Sequence, residues 1–269
     1  RLILAPLKGF TDAVFRNTFA EHFDGFDGAL APFVATVAAD RLTERHVQDL
    51  LPHQNTRMPI EPQILGNNAD DFVFLARRLL EMGYAEVNWN LGCPFRPVTK
   101  KRRGSGLLPF PDQVDEFLDK TLRALPGRLS IKMRLGRNRP DEIFKLLPIL
   151  DRYPLREVII HPRTARQMYG GAPDLEAFQA CLDRSRHRIV YNGDIVDRQG
   201  FLALQSRFPR VEAWMIGRGA LSNPFLPAAV KNGGGAAVDR VEKFKSFSDD
   251  LFARYQSRLC GPGHLLVGI

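Results

Sequence analysis

Cysteine is scarce in this chain of 269 residues, and the three that occur form no recognisable metal or redox motif. They are Cys93, Cys181 and Cys260, and no pair has the CxxC spacing. The six histidines are scattered and show no HExxH or other paired spacing. This scarcity argues against a disulfide framework and against a metal site, and it suits a reducing compartment. We therefore expect no metal.

Long apolar runs are also missing from the sequence. No run approaches the ~20 residues that a membrane-spanning helix needs, so we expect no association with a membrane. The chain opens with RLILAPL, without a positively charged leader region or a cleavage site. These features favour a cytoplasmic protein, and we take a monomer as the expected state.

Charge, by contrast, is plentiful and unbalanced. The 38 lysines and arginines exceed the 30 acidic residues, which gives a net charge of +8 and a sequence pI near 9.7. Lysine and arginine supply affinity for phosphate, so this balance favours a polyanionic partner. Many basic proteins bind no nucleic acid, and composition alone leaves this question open. The hydrophobic fraction of 44% is enough for a sizeable core.

Short apolar runs rich in β-forming residues alternate with amphipathic stretches. One such stretch, 69–83, places Phe72, Leu75 and Leu79 at helical spacing and ends at Gly83. Eight such strand–helix units within about 230 residues predict a (βα)8 TIM barrel over 1–230. A doubly wound open sheet is the alternative, but it has about five or six strands, and no GxGxxG follows the first predicted strand here. The predicted strands are 2–7, 28–35, 59–66, 85–92, 129–135, 157–163, 188–194 and 213–219.

The end of the chain departs from the alternating pattern. The segment 231–240, KNGGGAAVDR, is glycine-rich and is predicted to be a linker. The segment 241–269 opens with an apolar stripe at helical spacing, which predicts the first helix of a second, helical domain that is incomplete here. The stripe comprises Val241, Phe244, Phe247, Leu251, Phe252, Tyr255 and Leu259.

Polar residues stand at the carboxyl ends of the predicted strands, where barrel enzymes gather their chemistry. Lys132 lies within the apolar run SIKMRL, and a buried lysine almost always has an anionic partner. Gln63 could instead be a satisfied core amide, and His161 could simply cap its strand. The residues at the strand ends are Pro6, Leu7, Lys8, Gln63, Asn88, Asn90, Cys93, Lys132, Arg134, His161, Arg163, Asn192, Asp194, Gly217 and Arg218.

Two short turns follow the seventh and eighth strands, NGD at 192–194 and GRG at 217–219. Both are weak as motifs, but barrels hold phosphate groups at this position through backbone N–H donors. Gly217 permits close approach of the backbone, and Arg218 adds charge. A flavin mononucleotide would satisfy this layout, with Lys132 stabilising the anionic reduced ring and Gln63 contacting its pyrimidine edge.

Several blocks of the sequence carry a specific resemblance. LAPLKGFTD, QILG, NWNLGCPFRPVTKKRRGSGLL, IKMRLG, IHPRTARQMYGG, NGDI and MIGRGAL occur in this order across 2–227. The chain thereby resembles the dihydrouridine synthases. The resemblance implies an FMN enzyme that reduces particular uridines of tRNA to 5,6-dihydrouridine with NADPH as electron donor. It departs from the family in reading APLKG where APM followed by glycine is more usual.

The resemblance also implies roles for individual residues. Cys93 matches the proton donor of the family, and Asn90 matches a position that contacts the target uracil. Arg163, Arg166 and Tyr169 match positions that meet the substrate RNA. The implied FMN contacts are Pro6, Leu7, Lys8, Gln63, Lys132, His161, Asn192, Gly193, Asp194, Gly217 and Arg218.

A thiol suits the implied role because its unperturbed pKa is about 8.5, so it carries a proton at neutral pH. The reacting base must lie against the flavin, so a uridine in folded tRNA has to be extruded. The basic run Lys100, Lys101, Arg102 and Arg103, with the glycines that follow it, flanks the thiol and would face the RNA phosphates. A solvated charge run is the plainer interpretation of the same residues.

Two other functions remain open at this stage. One is a different FMN barrel that acts on a small molecule such as a dihydropyrimidine or an enone, which would need neither the basic run nor the net charge. The other is a non-catalytic RNA-binding barrel, against which the intact Gln63, Lys132 and the two turns argue.

Overall fold

The computed structural model describes residues 1–38, 41–233 and 239–256, and it confirms the predicted barrel. All strand pairs in the described sheet are parallel. The strands are β1 (Leu2–Leu4), β2 (Gly28–Leu30), β3 (Val34–Ala35), β4 (Ile60–Glu61), β5 (Gln63–Leu65), β6 (Glu86–Leu91), β7 (Arg128–Gly136), β8 (Val158–Thr164), β9 (Ile189–Tyr191) and β10 (Trp214–Ile216).

The helices lie between and after these strands. They are α1 (Ala13–His22), α2 (Glu44–Val47), α3 (Ala69–Glu81), α4 (Arg96–Thr99), α5 (Pro111–Ala124), α6 (Ile143–Leu150), α7 (Leu175–Arg184), α8 (Arg198–Arg207), α9 (Arg218–Ser222), α10 (Leu226–Asn232) and α11 (Arg240–Gln256). None of the helices in the described ranges is long and apolar enough to cross a membrane.

Two of the predicted strands are each divided into two segments. The predicted strand 28–35 becomes β2 and β3, and 59–66 becomes β4 and β5 on either side of Pro62. Proline has no backbone N–H and so interrupts a ladder at its own position. Because β2 pairs with β4 and β3 pairs with β5, the divided strands still lie side by side. The ten segments therefore correspond to eight barrel strands, and the sheet closes on itself.

The interior of the barrel has an apolar side and a polar side. Residues two apart on a strand point to the same face, so β7 turns Ser130, Lys132 and Arg134 inward and alternate residues such as Ile131 toward the helices. Barrel interiors are usually filled by branched apolar side chains. Here such a cluster is formed by Ile3, Ala5, Leu30, Ile159, Val190, Ala213 and Met215, while β4 to β7 contribute Glu61, Gln63, Asn88, Asn90, Ser130 and Lys132.

The main hydrophobic core lies between the sheet and the helices. The apolar stripe predicted for α3 is buried, with Phe72 and Leu79 fully inaccessible to solvent. The ring of Trp89 on β6 stacks on Phe117 of α5 with a centroid distance of 3.9 Å and an interplanar angle of 15°. These contacts hold β6, which carries the residues leading to Cys93, firmly against two helices.

The last described helix, α11, packs against α1 of the barrel. The ring of Phe247 meets Phe15, Phe19 and Phe23 edge-on, and the Tyr255 hydroxyl donates to an Asp12 carboxylate oxygen over 2.7 Å. Three other members of the predicted stripe, Val241, Phe244 and Phe252, are exposed. Leu259 and the segment 257–269 lie outside the described residues, so the further helical domain stays a prediction.

Both ends of the segment predicted as a linker, 231–240, belong to helices. Residues 231 and 232 belong to α10, which ends at Gly233 in a left-handed conformation with φ +79°. Residues 234–238 lie outside the described ranges, and α11 begins at Arg240.

We expect Phe247→Ala to destabilise the protein by about 3 kcal/mol, because it removes a buried ring from the contact between α11 and α1. Phe252→Ala on the same helix removes an exposed ring and should change stability by no more than about 0.5 kcal/mol. Urea denaturation of the two variants measures the difference. Equal stability losses would contradict the packing described for α11.

Candidate active site

A cavity of ≈ 450 Å³ opens at the carboxyl ends of the barrel strands. Its volume is in the range of small-molecule and cofactor sites. Every residue that the sequence assigned to cofactor binding lines it, as do Asn90, Cys93 and Tyr169. The predicted cofactor residues in the lining are Pro6, Leu7, Lys8, Gln63, Lys132, His161, Asn192, Gly193, Asp194, Gly217 and Arg218.

The basic run lies beside this cavity and not in its lining. Lys100, Lys101 and Arg102 are exposed to solvent directly after α4. Arg103 differs, since its guanidinium donates to Asn67 and to the backbone carbonyl of Thr36. Three members of the run can therefore meet a ligand from solution, while Arg103 connects this loop to the ends of β3 and β5.

Cys93 is held from both sides of its backbone. Its N–H and that of Gly92 donate to the side-chain oxygen of Asn90 over 2.9 and 3.0 Å. Its carbonyl accepts from the Ser105 N–H and hydroxyl over 3.1 and 2.8 Å. Arg134 adds a bond from its Nε to the carbonyl of Gly92 over 3.0 Å. The thiol therefore stands on a loop with little freedom to move.

The glycines after the basic run pack behind this loop, which corrects the expectation that they face RNA. Gly104 adopts φ +55°, and a Cβ there would lie 2.8 Å from the carbonyl oxygen of Cys93. A Cβ on Gly106 would lie 2.6 Å from the carbonyl oxygen of Thr99. Ser105, between them, is fully buried. Ser105 was not singled out from the sequence, although its position between two glycines is the signal that marks it.

The pKa of the Cys93 thiol is raised above its ordinary value. Partial burial is the main cause, and it outweighs the Phe95 backbone N–H and the nearby Arg134 and Lys132, which act in the opposite direction. The group therefore carries its proton at neutral pH. The two cations would stabilise the thiolate that remains after the proton leaves.

Lys132 lies on the inner face of β7 and lines the cavity. Burial, and then the neighbouring Arg134, lower the pKa of its amine to about 7. Within the described ranges the amine has no hydrogen-bond partner. A lysine in this state is an open position for an anionic or hydrogen-bond-accepting group of a ligand.

Arg163, which was predicted to meet the substrate RNA, is buried beside the cavity. Its side chain is 1% exposed. The guanidinium donates to both carboxylate oxygens of Asp194 over 3.0 and 2.5 Å, to the Gly170 and Gly171 carbonyls, and to His161 Nε2 over 3.2 Å. All of its nitrogens are engaged, so we assign Arg163 to holding the cavity wall together.

Burial also sets the state of His161. It lowers the pKa of the imidazole far below its usual range, and the surrounding cations Arg134, Lys132 and Arg163 add to the effect. His161 is therefore neutral, and because Arg163 donates to Nε2, its Nδ1 carries the proton. The ring offers a hydrogen-bond donor to the cavity and no charge.

Asp194 links two arginines at the side of the cavity near β9 and β10. Burial alone would raise the pKa of its carboxyl, but Arg163 and Arg218 outweigh burial and the pKa is lowered. The 2.8 Å bond from Arg218 fixes that guanidinium, which also stacks on Tyr169 at 4.7 Å. Arg134 lies on the same ring at 5.6 Å. Tyr169 is 46% exposed, and Arg166 is exposed beside it.

The two glycine turns form the backbone part of this side. Gly219 must lack a side chain, since a Cβ would lie 2.0 Å from the carbonyl oxygen of Ile195. Gly217 and Gly193 line the cavity. In the described part of the chain, the backbone N–H groups of Gly193 and Gly219 donate to no protein acceptor. With Arg218, these donors suit a phosphate group.

Across residues 1–38, 41–233 and 239–256, no three histidine, cysteine or acidic side chains lie close enough together to hold a metal ion.

A closed (βα)8 barrel with a cofactor-sized cavity at its strand ends and one clamped, protonated thiol defines a barrel enzyme. Comparison with known proteins specifies the class further. The family described as dihydrouridine synthase (Dus) matches residues 3–254, and the chain belongs to that family.

Individual relatives agree with this assignment. The chain is 28% identical to tRNA-dihydrouridine synthase B of Pasteurella multocida over 84% of its own length and 67% of the relative. It is 30% identical to tRNA-dihydrouridine(16) synthase of Salmonella typhimurium over 86% of its length and 76% of the relative.

Solved structures agree on the fold. An old yellow enzyme homologue from Zymomonas mobilis superimposes with a TM-score of 0.61 at 13% identity, covering 93% of this chain and 94% of that one. At this identity the likeness concerns the architecture only.

The raised pKa of Cys93 can be measured by alkylation. In a Cys260→Ser background we expect the rate of iodoacetamide labelling to rise with pH, with a midpoint above the ordinary cysteine value of about 8.5. Cys181 should stay silent, because it is fully buried and burial raises its pKa to about 12. A midpoint at or below the ordinary value would contradict the environment described for the thiol.

Proposed function

We propose that this protein reduces uridines in tRNA to 5,6-dihydrouridine, with FMN held in the cavity and NADPH as the electron donor. The observation that carries the proposal is the position of the protonated Cys93 thiol, clamped by Asn90 and Ser105 in the lining of a cofactor-sized cavity. Membership of the dihydrouridine synthase family supports it.

The residues present fit FMN. The unpartnered Lys132 amine suits the electron-rich edge of an isoalloxazine ring, and neutral His161 offers a further donor from the same wall. The phosphate would lie across the cavity, against the free backbone N–H groups of Gly193 and Gly219 and the guanidinium of Arg218. Asp194 does not oppose this arrangement, because its charge is balanced by Arg163 and Arg218.

When bound, FMN would supply hydride chemistry at C6 of the uracil, with NADPH as the electron donor. Cys93 gives its proton to C5, so that one hydride and one proton together saturate the C5–C6 double bond. The thiolate left on Cys93 is stabilised by Arg134 and Lys132 until solvent returns a proton. A carboxylic acid at this position would lack a proton at neutral pH, which is why a thiol suits the task.

The target base has to reach Cys93, and Asn90 is placed to receive it. The Asn90 oxygen is occupied by two backbone donors, and one N–H is used on Gln63. The second N–H remains for a carbonyl of the uracil. The exposed Lys100, Lys101 and Arg102 would contact phosphates beside the extruded nucleotide.

A small-molecule flavin oxidoreductase is the second candidate, favoured by the fact that the basic run does not line the cavity. Activity on a free dihydropyrimidine or enone, without activity on tRNA, would establish it. A purified protein without flavin absorbance would leave only a non-catalytic RNA-binding role.

We expect Cys93→Ala to lower dihydrouridine formation about 100-fold or more, because it removes the proton donor. Flavin content and flavin reduction by NADPH should not change, since the thiol takes no part in either step. Single-turnover assays on unmodified tRNA measure the first quantity and absorbance the others. Cys181→Ala, which alters a buried thiol outside the cavity, is the matched control. Full activity in Cys93→Ala would exclude the assigned role.

Reversing the charges of Lys100, Lys101 and Arg102 should weaken tRNA binding and flatten its dependence on salt. The log–log slope should fall by about 0.7–0.9 for each phosphate that the protein no longer neutralises. The matched control reverses the same number of charges, Arg78, Lys120 and Arg123, which are exposed on the outer surfaces of α3 and α5. Binding titrations at several salt concentrations give both slopes. Identical slopes for the two variants would mean that the basic run is solvated and contacts no phosphate.

A further inference from the structure

A continuous series of hydrogen-bonded side chains crosses the barrel interior and ends at the loop that bears Cys93. We call it the polar ladder, and its members are Glu61, Ser130, Asn88, Gln63 and Asn90. Asn90 donates to Gln63 over 2.7 Å, and Gln63 donates to Asn88 over 2.7 Å. Asn88 donates to the Ser130 hydroxyl over 2.6 Å, and Ser130 donates to a carboxylate oxygen of Glu61. Gln63, Asn88 and Ser130 are fully buried.

The polar ladder has a single direction. At its upper end the backbone N–H groups of Gly92 and Cys93 can only donate, so the oxygen of Asn90 must face them. At its lower end the Ser130 hydroxyl accepts from Asn88, which leaves its hydrogen for a carboxylate oxygen of Glu61. Each amide in between then has one allowed orientation, because reversing any of them would set donor against donor. The carboxylate of Glu61 thus accepts the last bond of a series that begins at the loop bearing Cys93.

Glu61 belongs to a charged cluster that closes the floor of the barrel. Arg156 reaches Glu61, Glu86 and Glu157 over 3.3, 2.7 and 3.6 Å. Burial is the main cause that raises the pKa of Glu61 to about 7, and the neighbouring carboxylates add to it, while Ser130 and Arg156 act against it. Arg1 balances the cluster by pairing with Glu157.

We propose that Glu61, Ser130 and Asn88 are positioning residues for the Cys93 thiol, acting through Gln63 and Asn90. The inference rests on the proposed function only where it takes the thiol to be the proton donor. None of these three residues lines the cavity, so their effect must be transmitted through the bonds of the polar ladder. Loss of the lower bonds leaves Asn88 and Gln63 less constrained, so Asn90 and the loop bearing Cys93 are held less firmly from below.

Ser130→Ala tests the proposal because it removes both the bond to Glu61 and the acceptor for Asn88. In the Cys260→Ser background, we expect the Cys93 thiol to become more accessible, so that the pH midpoint of its alkylation falls and its labelling rate at neutral pH rises about fivefold. Dihydrouridine formation in a single turnover should slow about 10- to 100-fold at unchanged tRNA affinity, since the proton donor is misplaced.

Thr18→Val is the matched control. It removes a fully buried hydroxyl that donates to the Val14 carbonyl inside α1, away from the cavity. Its thiol midpoint and turnover should equal those of the parent. A general loss of stability would affect both variants, whereas a loss of thiol positioning affects only Ser130→Ala.

Glu61→Gln provides a second measurement if Ser130→Ala does not fold. The amide keeps the volume and an acceptor for Ser130 but ends the strict one-way polarity, so a smaller shift of the thiol midpoint in the same direction is expected. A thiol that titrates and reacts like that of the parent in the folded variants overturns the proposal. The absence of dihydrouridine formation by the parent would instead refute the proposed function, and the alkylation comparison would still decide the role of the polar ladder.

Discussion

The contact between the Asn90 side-chain oxygen and the backbone N–H groups of Gly92 and Cys93 is the one on which the site depends. It fixes the loop that follows β6 at the point where the chain leaves the sheet. Ser105 and Arg134 then complete the support from the other side. In an interior of low dielectric, such contacts are strong when every member is satisfied and costly when one is not. A reactive group on a loop is thereby held as firmly as one on a strand.

The cavity is built from two electrostatically different sides. Near β7, burial and neighbouring cations lower the pKa values of Lys132 and Arg134. Near β9 and β10, Asp194 neutralises Arg163 and orients Arg218. The first side is arranged to receive electron density and the second to receive a fixed negative charge. A ligand that carries both features at opposite ends can enter in only one orientation.

The sequence was enough to predict the barrel, because strand periodicity and strand count are local signals. The positions of Lys132 and Arg134 on one predicted strand also indicated polar groups at the mouth of the barrel. What could not be predicted depends on pairs far apart along the chain. The burial of Arg163 against Asp194, which follows 31 residues later in the chain, is one example. The backing of Cys93 by Gly104 and the docking of α11 on α1 arise in the same way, from surfaces that meet only after folding.

The divided interior of the barrel has a consequence for how the protein can change. Residues on the apolar side, such as Ile3 and Met215, act mainly through volume, so substitutions there should combine almost independently when they are well separated. On the polar side each side chain sets the orientation of the next, so a second substitution after a first has little left to disrupt. Substitutions on the polar side are therefore expected to occur at several positions together or not at all.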